Sequence, residues 1–168
     1  MITKGIRGAI TVEGNSKEAL KDATLELLAE MFNQNNILVS SKYKEILRRM
    51  CHSEHCLPCQ REGDREAVEG FCEESQKFPP QNDVKNSFCY SVENISHIIF
   101  TTTNDLNAEF PAKFARLDMG LKDTAMMCFH ELDVPNSLPL CLRVLIVLNC
   151  EQDFVPKFVY LKGASNLR

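Results

Sequence analysis

Leu138-Pro-Leu-Cys-Leu-Arg143-Val-Leu-Ile-Val-Leu148 holds a single charge in an otherwise apolar run. Residues 141–149 read as a strand, and a cation within them is expected to be buried or nearly so. Burying a charge is costly unless an anion meets it, so Arg143 calls for Glu131, an anionic ligand, or both. The stretch upstream poses the same problem. Phe110-Pro-Ala-Lys-Phe-Ala-Arg116 and Cys128-Phe-His-Glu-Leu-Asp-Val134 also set Lys113, Arg116 and Glu131 among apolar neighbours.

Periodicity supplies the elements around that run. Residues 4–12 alternate as a strand, with Ile6, Gly8, Ile10 and Val12 on one face and Arg7, Ala9 and Thr11 on the other. Asn15-Ser-Lys-Glu18 has the form of a capping box. It precedes Leu20, Ala23, Leu27 and Met31 at helical spacing, so a helix is expected at about 16–34, its one apolar stripe packing on a sheet. Ile95 to Phe100 read as an apolar strand and Thr101–Asp105 as a turn. Pro111 suits the first position of a helix running to about Met119. Gly120 stops it, and Lys113 and Arg116 share one face. Further strands are expected at 124–131 and 157–163.

Overall composition places the chain among ordinary globular domains. Its 168 residues are 44% hydrophobic and 25% charged, the size and make-up of one domain. The net charge of −4 and the lack of a basic stripe with interleaved aromatics argue against nucleic acid as a partner. No apolar run has the length of a membrane span. Met1–Gly8 has neither a signal-peptide core nor the look of a transit peptide. The expected location is therefore the cytoplasm, or a plastid if the source is a plant or alga.

Residues 39–91 differ in character. Apart from a short helix expected at 41–50, they show no sustained period, lean towards a disordered composition and make a long stretch for a structureless loop. They read as an insertion into a single domain spanning 1–168. Five of the eight cysteines fall between 51 and 89. Cys51, His55, Cys56, Cys59 and Cys72 have ligand types and local spacing compatible with zinc; a plant-type iron–sulfur pattern fits less well. The bland alternative is an irregular segment that happens to contain cysteines. A further reading comes from codons: Val39-Ser40 can be written GTAAGT, and Ser87–Ser91 can spell a pyrimidine-rich tract ending in AG, the marks of an intron translated through. Cys128, Cys141 and Cys150, in apolar strands, are expected as reduced core thiols.

With 39–91 set aside, separated motifs fall into one order. Gly5-Ile-Arg-Gly-Ala-Ile-Thr-Val-Glu13, Asp105-Leu-Asn-Ala-Glu-Phe-Pro-Ala-Lys113, Cys128–Val134, Cys141-Leu-Arg143 and Val159-Tyr-Leu-Lys-Gly-Ala164 together resemble the AroH-type, Bacillus-like chorismate mutases. The resemblance covers about residues 1–38 and 92–168. It implies an α+β fold: a mixed β-sheet with helices on one face, three subunits forming a pseudo-α/β-barrel, and active sites in the clefts between them. The activity it implies is the rearrangement of chorismate to prephenate in aromatic amino acid biosynthesis, without cofactor or metal.

The resemblance also implies roles for individual positions. Arg143 matches the arginine at the ether oxygen of the breaking bond, and Arg7 the one that grips a substrate carboxylate. Glu131 matches the glutamate at the ring hydroxyl, with Cys128 helping through its backbone, and Tyr160 meets a carboxylate. Phe110, Ala112 and Leu167 match apolar walls. Lys113, Arg116 and Arg168 match basic residues near the second carboxylate, with Phe110, Lys113 and Arg116 supplied by the neighbouring subunit. Departures exist. Met126 and Met127 replace smaller or polar residues, His130 stands where Gln is usual, and the family's C-terminal tail over the site has no counterpart after Arg168. These departures and the insertion leave a second expectation open, a catalytically impaired metabolite-binding trimer of the same fold.

Overall fold

The structure is a computed structural model that describes residues 1–38 and 89–167. The helix expected at 41–50, the possible ligand set Cys51, His55, Cys56, Cys59 and Cys72, and Arg168 lie outside the described residues, as does nearly all of the 39–91 stretch. Among the described residues, no helix is long and apolar enough to cross a membrane.

Strand β1 (Ile2–Thr11) leads into helix α1 (Lys17–Gln34). Two-residue strands β2 (Ile37–Leu38) and β3 (Tyr90–Ser91) pair in parallel. Then follow β4 (Ile95–Thr102), helix α2 (Pro111–Leu117), β5 (Ala125–His130), β6 (Cys141–Cys150) and β7 (Val159–Leu161), with a 3-10 segment at Lys162–Leu167. The main sheet has the order β5-β4-β6-β1-β7. It is mixed: β6 is antiparallel to both β1 and β4, while β4–β5 and β1–β7 are parallel.

The apolar run therefore forms the middle strand. On β6, Leu142, Val144, Ile146, Leu148 and Cys150 face the main core. Ile6 and Ile10 of β1, Val12 just after it, and Ile98 and Phe100 of β4 continue that surface, and Leu20, Leu27, Leu28 and Met31 of α1 cover it. Gly8 sets how closely helix and sheet approach. A Cβ there would lie 2.6 Å from Met31 Sδ, 3.1 Å from Leu27 Cδ1 and 3.1 Å from the Val159 carbonyl oxygen. The other sheet face carries Arg7, Ile99, Thr101, Arg143 and Leu145; no α-helix of the described residues covers it, although Ala164 of the 3-10 segment packs on Ala9 and Cys141 at one end.

That uncovered face corrects the expectation for Arg143. Its side chain is 41% exposed, because the helices pack only on the side occupied by its even-numbered neighbours. Cys141 and Cys150 are buried free thiols as expected, and Cys128 is half-buried. Asn15 is not the helix cap. Ser16 holds that position and its Oγ accepts from Ala19 N at 3.1 Å. Asn15 instead reaches across the chain: its Oδ1 accepts from Asn107 N and Ala108 N at 3.1 and 2.9 Å, tying down the approach to α2. The expected last strand ends early, at Leu161, where Lys162 adopts φ 51° and the chain turns into the 3-10 segment.

The start of β6 is clasped by the loop after β4. Thr103 Oγ1 donates to the Asp105 carboxylate and accepts from Cys141 N at 2.9 Å. The other Asp105 oxygen accepts from Leu140 N at 2.9 Å, and Leu140 O accepts from Val12 N at 2.8 Å. These bonds hold Leu140 at φ 48°, a region costly for a branched side chain.

Two consequences are measurable. Gly8→Ala should destabilise the fold by about 1–3 kcal/mol through overpacking, read as a lower midpoint in urea; an unchanged midpoint would show that α1 does not sit this close. The Thr103 hydroxyl, helped by Leu140 N–H, holds the Asp105 carboxyl below its ordinary value. Its contribution is complete above the ordinary carboxylate range and is lost as pH falls through the depressed value. Urea denaturation of Asp105→Asn should show a deficit at neutral pH that closes on acidification, whereas a deficit independent of pH would contradict the charged clasp.

Candidate active site on the open sheet face

Sheet register places the functional side chains. Ala9 pairs with Tyr160 on one side and Arg143 on the other; Thr101 pairs with Arg143 and with Phe129. A line across the sheet thus reads Tyr160, Ala9, Arg143, Thr101, Phe129. Arg7 lies one step along β1, beside Leu145 of β6. The small Ala9 leaves space between Tyr160 and Arg143. Arg7, Ile99, Thr101, Arg143, Tyr160 and Leu167 are among the residues lining a cavity of about 500 Å³ over this line.

Glu131 does not itself line the cavity but is bonded to two residues that do, Arg143 and Thr101. Its backbone N–H donates to Thr102 O at 3.0 Å, which continues the β4–β5 pairing past His130. Its Oε2 lies 2.8 Å from Arg143 Nη1, and its Oε1 accepts from Thr101 Oγ1 at 2.7 Å. The carboxylate is 13% exposed. Arg7 is held differently. Its guanidinium carbon sits 4.7 Å from the centre of the Phe158 ring, a cation–π arrangement. Among the described residues it has no carboxylate partner. Two guanidiniums share the site with one carboxylate, so local charge favours an anion despite the negative chain. Beneath, burial pushes the Cys141 thiol up, with Arg143 the leading influence in the opposite direction.

The structure thus brings Arg7, Arg143, Glu131, Tyr160 and Leu167 together. Other expected positions stand apart within one chain. Cys128 packs its side chain against the core on the helix side of β5; burial raises its thiol, opposed by a backbone hydrogen bond with Ala112. Phe110 is 68% exposed at the head of α2. Lys113 pairs with Glu109, Arg116 is exposed, and none of the three lines the cavity. Thr101, Phe158, Ile99 and Leu145 were not singled out by sequence reasoning. Three consecutive threonines suggest a turn, yet β-branched residues also suit strands, and Thr101 continues the alternation begun by Ile99.

Within the cavity the chemistry on offer is ionic and hydrogen-bonding. Arginine presents a planar fork of donors matched to carboxylates and keeps its charge. Tyr160 adds a hydroxyl that has no hydrogen-bond partner among the described residues. Among the described residues, no cluster of three or more His, Cys, Asp or Glu could hold a metal ion.

Comparison with known proteins places this geometry in a family. The profile of the family described as chorismate mutase type I matches residues 3–52 and 74–168, leaving 53–73 outside the match. "Chorismate mutase AroH" of Thermus thermophilus is 31% identical over 169 residues, covering 99% of this chain and 94% of that protein. "Chorismate mutase AroH" of Bacillus subtilis (strain 168) is 25% identical over 170 residues, covering 100% and 91%. The solved structure "Chorismate mutase from Clostridium thermocellum Cth-682" superposes with a TM-score of 0.62 at 30% identity, covering 97% of this chain and 98% of that one. On this match, which spans most of its length, the chain belongs to the type I, AroH-type chorismate mutase family.

Proposed function

We propose that the protein is a chorismate mutase, converting chorismate to prephenate by an intramolecular [3,3] rearrangement, and that it works as a homotrimer. The observation that carries this reading is the pair of arginines in one cavity, Arg143 braced by Glu131 and Arg7 without an acidic partner among the described residues. The substrate is a flexible dicarboxylate. The reaction requires no nucleophile and no general base, so the protein has two tasks. It holds the substrate in its compact reactive geometry, and it stabilises the negative charge that develops on the ether oxygen as the C–O bond breaks.

The roles divide accordingly. Arg143 donates to the ether oxygen and interacts more strongly as charge grows, so it favours the transition state over the ground state. Arg7, backed by the Phe158 ring, grips a carboxylate. Tyr160 offers its hydroxyl to a carboxylate. Glu131 accepts from the ring hydroxyl and keeps Arg143 in place; it has no acid–base duty. Leu167 forms part of the wall, and Cys128 contributes through its backbone.

The remaining positions belong to the trimer. Phe110, Ala112, Lys113 and Arg116 of α2, together with Arg168, complete the pocket around the second carboxylate, the α2 residues reaching the cavity of the adjacent subunit. Exposed apolar groups support such assembly. Met127, Phe129, Leu145 and Phe158 are each at least 37% exposed. Met127, Phe129 and Leu145 lie on the open sheet face, where a second subunit would cover them. Residues 39–91 are an insertion into this single domain, distant in sequence from the site positions. The free thiols of Cys128, Cys141 and Cys150 suit a reducing compartment such as the cytosol.

Purified protein tests the reading by loss of chorismate absorbance. Arg143→Ala should lower kcat by about 10²–10³-fold, the usual effect of removing one preorganised donor, while sedimentation still reports a folded trimer. Near-normal turnover in that variant would sink the assignment. Binding of chorismate by the unaltered chain without turnover would instead point to the impaired metabolite-binding trimer. Deleting residues 39–88 in parallel, which spares the buried Tyr90 of β3, should leave turnover in place if the insertion is tolerated.

A further inference from the structure

We propose that Thr101 is a positioning residue for this site, holding Glu131 so that Glu131 can hold Arg143; the inference rests on the mutase reading above. Three side chains form a closed chain of contacts. Thr101 Oγ1 donates to Glu131 Oε1 at 2.7 Å, and Arg143 Nη1 lies 2.8 Å from Glu131 Oε2. Thr101 and Arg143 are direct partners across β4 and β6, so the sheet itself fixes the spacing of the two donors. Each carboxylate oxygen receives one of them, and this sets both the position and the plane of the carboxylate.

Why the hydroxyl is needed follows from where Glu131 sits. It lies just beyond β5, anchored by one backbone bond to Thr102, and its side chain has several rotatable bonds whose freedom must be restrained. Arg143 is 41% exposed on the uncovered face, so core packing does not immobilise its guanidinium. Its orientation depends on Glu131, and that of Glu131 depends on Thr101. The backbone of Thr101 is occupied by β5 on one side and β6 on the other, the residue lines the cavity, and its hydroxyl is bonded to Glu131. Groups that must hold a productive geometry within a fraction of an ångström need such support. A free Glu131 would allow Arg143 to follow it out of line with the ether oxygen.

Steady-state kinetics of five variants test this with chorismate as substrate. Thr101→Val keeps shape and strand preference but removes the donor; Thr101→Ser keeps the donor; Thr101→Ala repeats the loss with a smaller side chain should the valine variant fail to fold. Thr101→Val should lower kcat roughly tenfold, as expected for losing a hydrogen bond to a charged group, with KM little changed. Thr101→Ser should stay within about twofold of the unaltered protein. In a Glu131→Ala background, Thr101→Val should have no further effect, because residues acting through one another are not additive. Unaltered kcat in both Thr101→Val and Thr101→Ala would overturn the inference. So would a valine penalty that persists in full without Glu131. An unaltered protein that does not turn over chorismate at all would overturn the mutase reading and the inference with it, an outcome distinct from either of those.

Discussion

A sheet built around an apolar central strand needs cover on both faces, and this chain's helices supply it on one. The rest of the molecule follows from that asymmetry. α1 lies close on the inner face because Gly8 leaves room for Met31 and Leu27. The outer face keeps Leu145, Met127 and Phe129 in view of solvent. It is also where Arg7 and Arg143 stand, with the cavity between them. An uncovered apolar surface and an incompletely enclosed ionic site on the same face have one common remedy in the proposed trimer, where a second subunit covers the first and encloses the second. Arg143 then moves towards the burial that its apolar surroundings in sequence suggest.

Electrostatics in the site is local rather than global. The chain carries a net charge of −4, yet two guanidiniums line the cavity and one carboxylate, Glu131, pairs with Arg143. Such a cluster attracts a dianion over the few ångströms that matter, while charges more than a Debye length away are screened. Glu131 does not simply cancel Arg143. Braced by Thr101, it holds one nitrogen of the guanidinium, and Arg143 lines the cavity. For a reaction with no proton to move, the useful quantity is a donor already aimed at the oxygen on which charge will appear.

Much of this was legible in residues alone, and the failures have physical reasons. β1 alternates, α1 repeats its apolar residues at helical spacing and β6 is a long apolar run, so their placement follows directly. The cap of α1 lies one residue beyond the expected Asn15 because Asn15 and Ser16 are both good caps, and the tertiary bonds from Asn15 to the 107–108 backbone separate them. β2 and β3 have two residues each and leave no period to detect. Thr101 reads as part of a turn because a threonine triplet lacks apolar alternation; its proposed role appears only when β4 is set beside β6. Arg143 looked buried because sequence reports the apolar character of neighbours and not which face carries them to the core. Lys113 and Arg116 share a helix face as expected, but where that face is used depends on assembly.

The central claim is that each site is shared, with Arg143 from one subunit and α2 from the next. Co-assembly of two inactive variants measures this most directly. Arg143→Ala and Arg116→Ala chains, unfolded together and refolded as mixed trimers, would place an intact Arg143 beside an intact Arg116 in about a quarter of the clefts of a closed ring. The account predicts that turnover of chorismate, lost in either variant alone, returns to about that fraction in the mixture. A mixture no more active than the separate variants, with mixed trimers shown to form, would contradict it.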